Sequence, residues 1–178
     1  MPSALSLLLF VPAVALAGWI NKSGDPLPDS DDRQSAGDFG AQMIFVGDEN
    51  ELFKQWATPS VTVNVKTLES VEVNGSINAF VVFSGCKPGT NGNCSVAMRF
   101  RVLRPDGQIY ADTPPMEVWN EKPAPPAKSL ELSADYLKVI IEPKDQLGMY
   151  TVQAQIRDNN SGAVLQLSRP FTAVAANK

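Results

Sequence analysis

Apolar and polar positions alternate along much of this chain. Tyr150, Val152, Ala154 and Ile156 interleave with Thr151, Gln153, Gln155 and Arg157. A period of two places one set on a dry face and the other on a wet face of a β-strand. Val96, Met98, Phe100 and Val102 repeat the pattern, with Arg99 and Arg101 turned outward, as do Val61, Val63 and Val65 against Thr62, Asn64 and Lys66. Ile77 to Phe83 is nearly all apolar, which predicts a central strand covered on both faces. Val71 and Val73, Leu130 and Leu132, Leu137 to Ile141, and the apolar run ending at Phe171 add further short strands.

Turn chemistry separates these runs. Asn74-Gly75 predicts a tight turn of hairpin type. In Arg104-Pro105-Asp106-Gly107 the proline presets φ, the aspartate bonds back to the backbone and the glycine takes positive φ, so Gln108 to Tyr110 is the returning strand. Asp158-Asn-Asn-Ser-Gly162 is another turn. About eight to ten short strands at regular spacing predict an all-β sandwich.

Helical periodicity is confined to one segment. Asp38 to Phe45 reads as a strand. Asp48 with Glu51 three residues later then forms a capping box. Leu52, Phe53 and Trp56 follow at helical spacing on one face, and Thr58-Pro59 ends the helix. Thr113 to Lys128 holds Pro114, Pro115, Pro123, Pro125 and Pro126. Proline cannot donate to a ladder, so this segment is expected as an extended edge or crossover loop.

Met1 to Ala17 has no charged side chain, carries the apolar run Leu5 to Leu16 and ends in Ala15-Leu16-Ala17. It reads as a secretory signal peptide, too short for a membrane-spanning helix. Gly18 to Gly37, with four aspartates and two prolines, reads as a flexible linker, and residues 38–176 as one sandwich domain with a strand-helix extension at its start. Removing 17 of 178 residues leaves 161, enough for one ordinary core. A net charge of -4 and a pI near 4.8 argue against nucleic acid or an anionic membrane as partner.

Cys86 and Cys94 flank a loop rich in turn residues, Lys-Pro-Gly-Thr-Asn-Gly-Asn. A disulfide is expected in an oxidising compartment. The rivals are a metal pair and a redox pair. The first wants further Cys or His ligands, and the chain has no histidine; the second usually has two residues between its cysteines.

The segment Asp145-Gln-Leu-Gly148-Met-Tyr150-Thr-Val-Gln-Ala resembles the corner of immunoglobulin-like domains, in which a tyrosine hydroxyl bonds back to the backbone. Together with Phe100-Arg-Val-Leu-Arg-Pro-Asp-Gly107 and Arg169-Pro-Phe171, it is similar to bacterial extracytoplasmic immunoglobulin-like modules, the macroglobulin-like type among them, within a small secreted protein. The resemblance covers Val61 to Val174. It implies an immunoglobulin-like sandwich with Asp145, Gly148 and Tyr150 as a structural corner. The chain departs from antibody-type domains in having no cysteine in the strand after Tyr150.

Without histidine there is no imidazole base and no Ser-His-Asp arrangement. Asp48, Glu49 and Glu51 are explained by the helix start. We therefore expect no catalytic residues, no cofactor and no metal. The expected function is a non-catalytic periplasmic or secreted protein-interaction module. Its candidate surface comprises Tyr110, Met116, Trp119, Pro123 and Pro126, with the polar loop Lys87 to Asn93 projecting nearby. Two alternatives stand beside it: a carbohydrate-binding module using exposed aromatics, Trp119 first, and a self-assembling surface or pilus-type subunit joined through an unpaired strand.

Overall fold

The computed structural model describes Trp19, Ser23, Asp25 and residues 27–58 and 65–176. The segment read as a signal peptide and residues 61–64 of the first expected strand lie outside these. In chain order the elements are β1 (Arg33–Ala36), β2 (Phe39–Val46), α1 (Glu49–Trp56), β3 (Ser70–Glu72), β4 (Ser76–Ser84), β5 (Asn93–Leu103), β6 (Ile109–Asp112), β7 (Met116–Pro123), β8 (Glu131–Leu132), β9 (Leu137–Ile140), β10 (Gly148–Asp158) and β11 (Val164–Val174).

They form two sheets. The first runs β1-β2-β4, with β8 and β9 both on the far side of β4; the second runs β3-β11-β10-β5, with β6 and β7 sharing the far side of β5. Every pairing is antiparallel except β3 on β11. This is an immunoglobulin-like β-sandwich, all-β apart from one short helix near its start. Ile77, Val81 and Phe83 of one sheet meet Phe100, Val152, Ile156 and Leu167 of the other in a single core. The alternation read from β5 and β10 is the observed burial pattern of both strands.

β4 is buried along its length except at its two ends, and the second covering layer explains why. Phe80 and Val82 face away from the main core into a smaller one built with Trp19, Ile44, Val46, Leu52 and Leu132. α1 lies over this outer face. The Asp48 side chain accepts from the backbone N–H groups of Asn50 and Glu51, each at 3.0 Å, the N-terminal half of the expected capping arrangement. Of the apolar face expected on this helix only Leu52 is buried; Phe53 is 38% exposed.

Two expectations are corrected. First, Asn74-Gly75 does not close a hairpin. Asn74 has φ +68° and Gly75 N–H donates to Glu72 O at 2.8 Å, but β3 belongs to the second sheet and β4 to the first. The same tight-turn chemistry carries the chain between layers, because Val71 and Ile77 must both reach the shared core. Second, the stretch read as linker contains β1, paired with β2, and the buried Trp19. Asp31 O accepts from Ser168 N–H at 2.6 Å, and Asp32 pairs with Arg169 at 2.7 Å. Its aspartates therefore stitch one side of the sandwich. The proline-rich segment runs over β7 as an extended edge strand, the first of the two expected forms. It follows β5 with two register shifts, which absorb its irregular stretches.

β7 also closes the other side. Ala134 N–H donates to Val118 O and Asp135 N–H to Glu117 O, each at 3.0 Å, and the Asp135 carboxylate accepts from Glu117 N–H at 2.7 Å.

Candidate functional site

The two ends of the sandwich are built differently. At one end β10 begins with the corner. Tyr150 is fully buried, its ring stacked on Phe171 at 5.3 Å and met edge-on by Tyr110 at 5.5 Å. Its hydroxyl donates to Gln146 O at 2.9 Å. Gly148 sits at φ +127°, and a Cβ there would stand 3.2 Å from the Pro105 ring, so the glycine permits both the turn and the close approach of the Arg104–Gly107 turn. Asp145 accepts from Glu142 N–H at 2.7 Å and from the Tyr110 hydroxyl at 2.8 Å. Burial, reinforced by this bond to Asp145, raises the Tyr110 hydroxyl pKa to about 12; burial also raises that of Tyr150.

At the other end the Cys86–Cys94 disulfide closes its loop. Both cysteines are buried against the main core, so the bridge is a floor beneath the loop. Gly89 N–H donates to Asn93 O at 2.8 Å, and the Asn91 side chain accepts from Asn93 N–H at 3.0 Å. The turn between β10 and β11 grips the loop from outside. Asn160 Nδ2 donates to Lys87 O at 2.9 Å and Asn93 O at 3.1 Å, reaching both arms. Asp158, fully buried, accepts from Lys87 N–H at 3.0 Å, Ser161 Oγ at 2.6 Å and Asn160 N–H at 3.0 Å. Three donors satisfy a carboxylate that would otherwise be costly to bury.

β7 completes this end. Asn93 Nδ2 donates to Glu121 O at 3.1 Å, Ala124 N–H donates to Gly92 O at 3.1 Å, and Asn93 is the register partner of Pro123. The outcome is a shallow depression lined by Lys87, Pro88, Gly89, Thr90, Asn91, Asn93, Glu121 and Asn160, with Pro123 and Pro126 exposed beside it. The loop therefore does not project freely; it is held at both arms and from β7.

The candidate residues fall into two groups. Trp119 and Pro123 lie on β7 toward the disulfide loop and Pro126 follows three residues on, whereas Met116, at the start of β7, pairs with Met98, about 17 Å along β5 from the loop. Tyr110 does not join them. It aligns with β5 near Val102, while Trp119 aligns with Val96, a separation of about 20 Å at strand rise. Its hydroxyl is engaged by Asp145, and Ile140 O lies 3.1 Å away, so Tyr110 belongs to the corner. Trp119 is half-buried: its ring meets Phe83 edge-on at 5.8 Å, its Nε1–H donates to Pro123 O at 3.1 Å, and the Lys122 ammonium stands 5.2 Å from the ring centre. It seals the edge between the sheets.

No local sequence pattern singles out Asp158, Asn160 and Glu121. The turn Asp158–Gly162 was legible, but its reach to Lys87 crosses 71 and 73 residues, and no local pattern encodes that. Among the described residues no group of three or more His, Cys, Asp or Glu side chains could hold a metal ion. No helix among them is long and apolar enough to cross a membrane.

No family model matches the chain, and no curated protein matches it in sequence. Among solved structures, it is similar to a family 123 glycoside hydrolase from Clostridium perfringens, at 8% identity and TM-score 0.43 over 78% of this chain and 27% of that enzyme. The chain thus spans about a quarter of that enzyme's length. It is also similar to the CARDB domain of a Pyrococcus furiosus protein, at 15% identity and TM-score 0.37 over 61% of this chain and 87% of that one. A Niemann-Pick type C2 protein from Japanese carpenter ant matches at 7% identity and TM-score 0.38, over 59% and 79% of the two chains. The assignment of the sandwich rests on its own sheet order and on the Tyr150 corner.

Proposed function

We propose that this chain is a non-catalytic, secreted or periplasmic protein-interaction module of the bacterial extracytoplasmic immunoglobulin-like kind. It engages a protein partner through the disulfide end of the sandwich: the Lys87–Asn93 loop, the Asn159–Asn160 turn and the Pro123–Pro126 edge. The observation that carries this is the Asn160 side chain bonded to both arms of the loop. A loop fixed by a disulfide, a neighbouring turn and a strand has little conformational entropy left to lose on binding, so its contacts count more fully toward affinity. The rim offers carboxamides and the charges of Lys87 and Glu121, a composition suited to a polar protein surface rather than to an apolar ligand. The disulfide fits an oxidising compartment. The glycan alternative loses its platform, because Trp119 is engaged by Phe83, Lys122 and Pro123.

The test is site-specific photo-crosslinking in the native host. A crosslinker at Asn91 or Pro126 should capture one dominant protein, and the same group at Gln155 on the outer sheet face should not. Capture from Gln155 with none from Asn91 or Pro126 would remove the disulfide end as the binding surface.

A further inference from the structure

We infer that α1 is a latched cover, which opens as a local unit while the sandwich beneath it stays folded. α1 has eight residues, too few to persist as an isolated helix in water, so it exists only while docked. What it docks on is separate from the main core. Ile44, Val46, Phe80, Val82 and Leu132 form their own cluster on the outer face of the first sheet, with Tyr136 stacked on Phe80 at 4.4 Å and Phe53 of the helix meeting both rings edge-on. Lifting α1 therefore leaves the contacts between the two sheets unbroken.

The polar contacts between the start of the helix and the sheet converge on one place. Asn78 of β4 and Lys138 of β9 are direct partners in the register. Asn78 Nδ2 donates to Gly47 O at 3.2 Å and to Glu49 Oε2 at 3.0 Å, while Lys138 Nζ donates to Glu49 Oε1 at 2.9 Å. One carboxylate at the first residue of the helix is thus held by both strands. The latch is also imperfect. Asn78 is fully buried, yet its Oδ1 has no hydrogen-bond partner. Turning the carboxamide over would not help, because Gly47 O and Glu49 are both acceptors. The closed state leaves that oxygen desolvated and unpaired, a cost that opening relieves by admitting water. Few buried side chains, a separate cluster beneath and a built-in polar penalty are the features of a low-stability local unit. Opening uncovers the Phe80–Tyr136 face.

Hydrogen exchange of the full chain, read by mass spectrometry, tests this. The helical amides from Leu52 to Ala57 should exchange about a hundredfold faster than those of β5 and β10, as expected for local rather than global opening. Glu49→Ala should raise the α1 rate by about tenfold, the factor expected for losing a hydrogen bond to a charged group. Asn78→Val, which also removes the unpaired Oδ1, should raise it by less, and both should leave β10 within about twofold. Glu49 lies on the surface end of the latch, so Glu49→Ala serves even where Asn78→Val fails to fold. Exchange of α1 at the β10 rate in the unmodified protein would overturn the inference. So would an equal rise in α1 and β10 in Glu49→Ala.

Discussion

Replacing Tyr150 by Phe removes one oxygen from the sandwich and tests whether the corner is a structural device. The ring keeps its contacts with Phe171 and Tyr110, so neither a cavity nor an overpacked site is created. What is lost is the 2.9 Å hydrogen bond to Gln146 O. Gln146 is exposed, so its carbonyl can turn to water and the full penalty of an orphaned buried acceptor does not apply. The expected loss is the net worth of one neutral hydrogen bond, about 1 kcal/mol. With a urea m-value of about 2 kcal/mol/M, the midpoint falls by about 0.5 M at unchanged slope. The assay is urea unfolding followed by far-UV circular dichroism and by tryptophan emission, whose coincidence checks the two-state assumption. An unchanged midpoint would refute the corner as a stabilising bond. A loss above about 3 kcal/mol would show that the hydroxyl also positions the rings.

Tyr110 gives a pH signature of the same corner. Its folded pKa, about 12, lies above the ordinary tyrosine value of 10.0, so its contribution is complete below pH 10 and is lost as pH rises from about 10 to about 12. The raised value corresponds to about 2.7 kcal/mol, which partial exposure of the ring lowers to about 1 kcal/mol; Tyr110→Phe should flatten that alkaline decline, measured as urea midpoints across pH 9–12. Gly148→Ala forces a Cβ into φ +127° and to 3.2 Å from Pro105, so thermal unfolding should show a loss of about 2 kcal/mol; a neutral result would place the strain elsewhere. Replacing both Cys86 and Cys94 by Ala frees a loop closed over a separation of eight residues, and the urea midpoint should fall by the equivalent of about 2.5 kcal/mol in the chain-entropy model.

The parts of this architecture legible in the sequence are those encoded by short-range period and turn chemistry. The dry and wet faces of β5 and β10, the doubly buried β4 and the Asp48 cap each follow from residues within one element. The corner was also legible, because Asp145, Gly148 and Tyr150 act within six residues of one another. What escaped is long-range. The Asn74-Gly75 turn looks the same whether it closes a hairpin or crosses between sheets; the partner of β3 is β11, about a hundred residues on. The aspartates before β1 look like linker composition until Ser168 and Arg169 supply their partners. Trp119 and Tyr110 are near in sequence, yet β5 holds them toward opposite ends of its length.

The closed flanks bear on the pilus-type alternative. Assembly by strand addition needs a row of unpaired N–H and C=O groups along an edge. One flank of the second sheet is occupied by β3 along Thr172–Val174 and, further along β11, by Asp31 and the Gln34 side chain, the latter taking Gln166 N–H at 3.3 Å. On the opposite flank β7 is bonded to Ala134 and Asp135 of the chain beside the first sheet. On the same flank β6 and β9 have only four residues each, and the Tyr110 hydroxyl, 3.1 Å from Ile140 O, spans the gap between them. An added strand would meet a short edge already crossed by a side chain. This geometry favours binding through loops at the ends of the sandwich over chain-to-chain growth along its sides, and it predicts that the purified full chain stays monomeric across micromolar concentrations in analytical ultracentrifugation. Concentration-dependent oligomers abolished by Ile140→Pro in β9, whose N–H faces away from β4, would reverse that order.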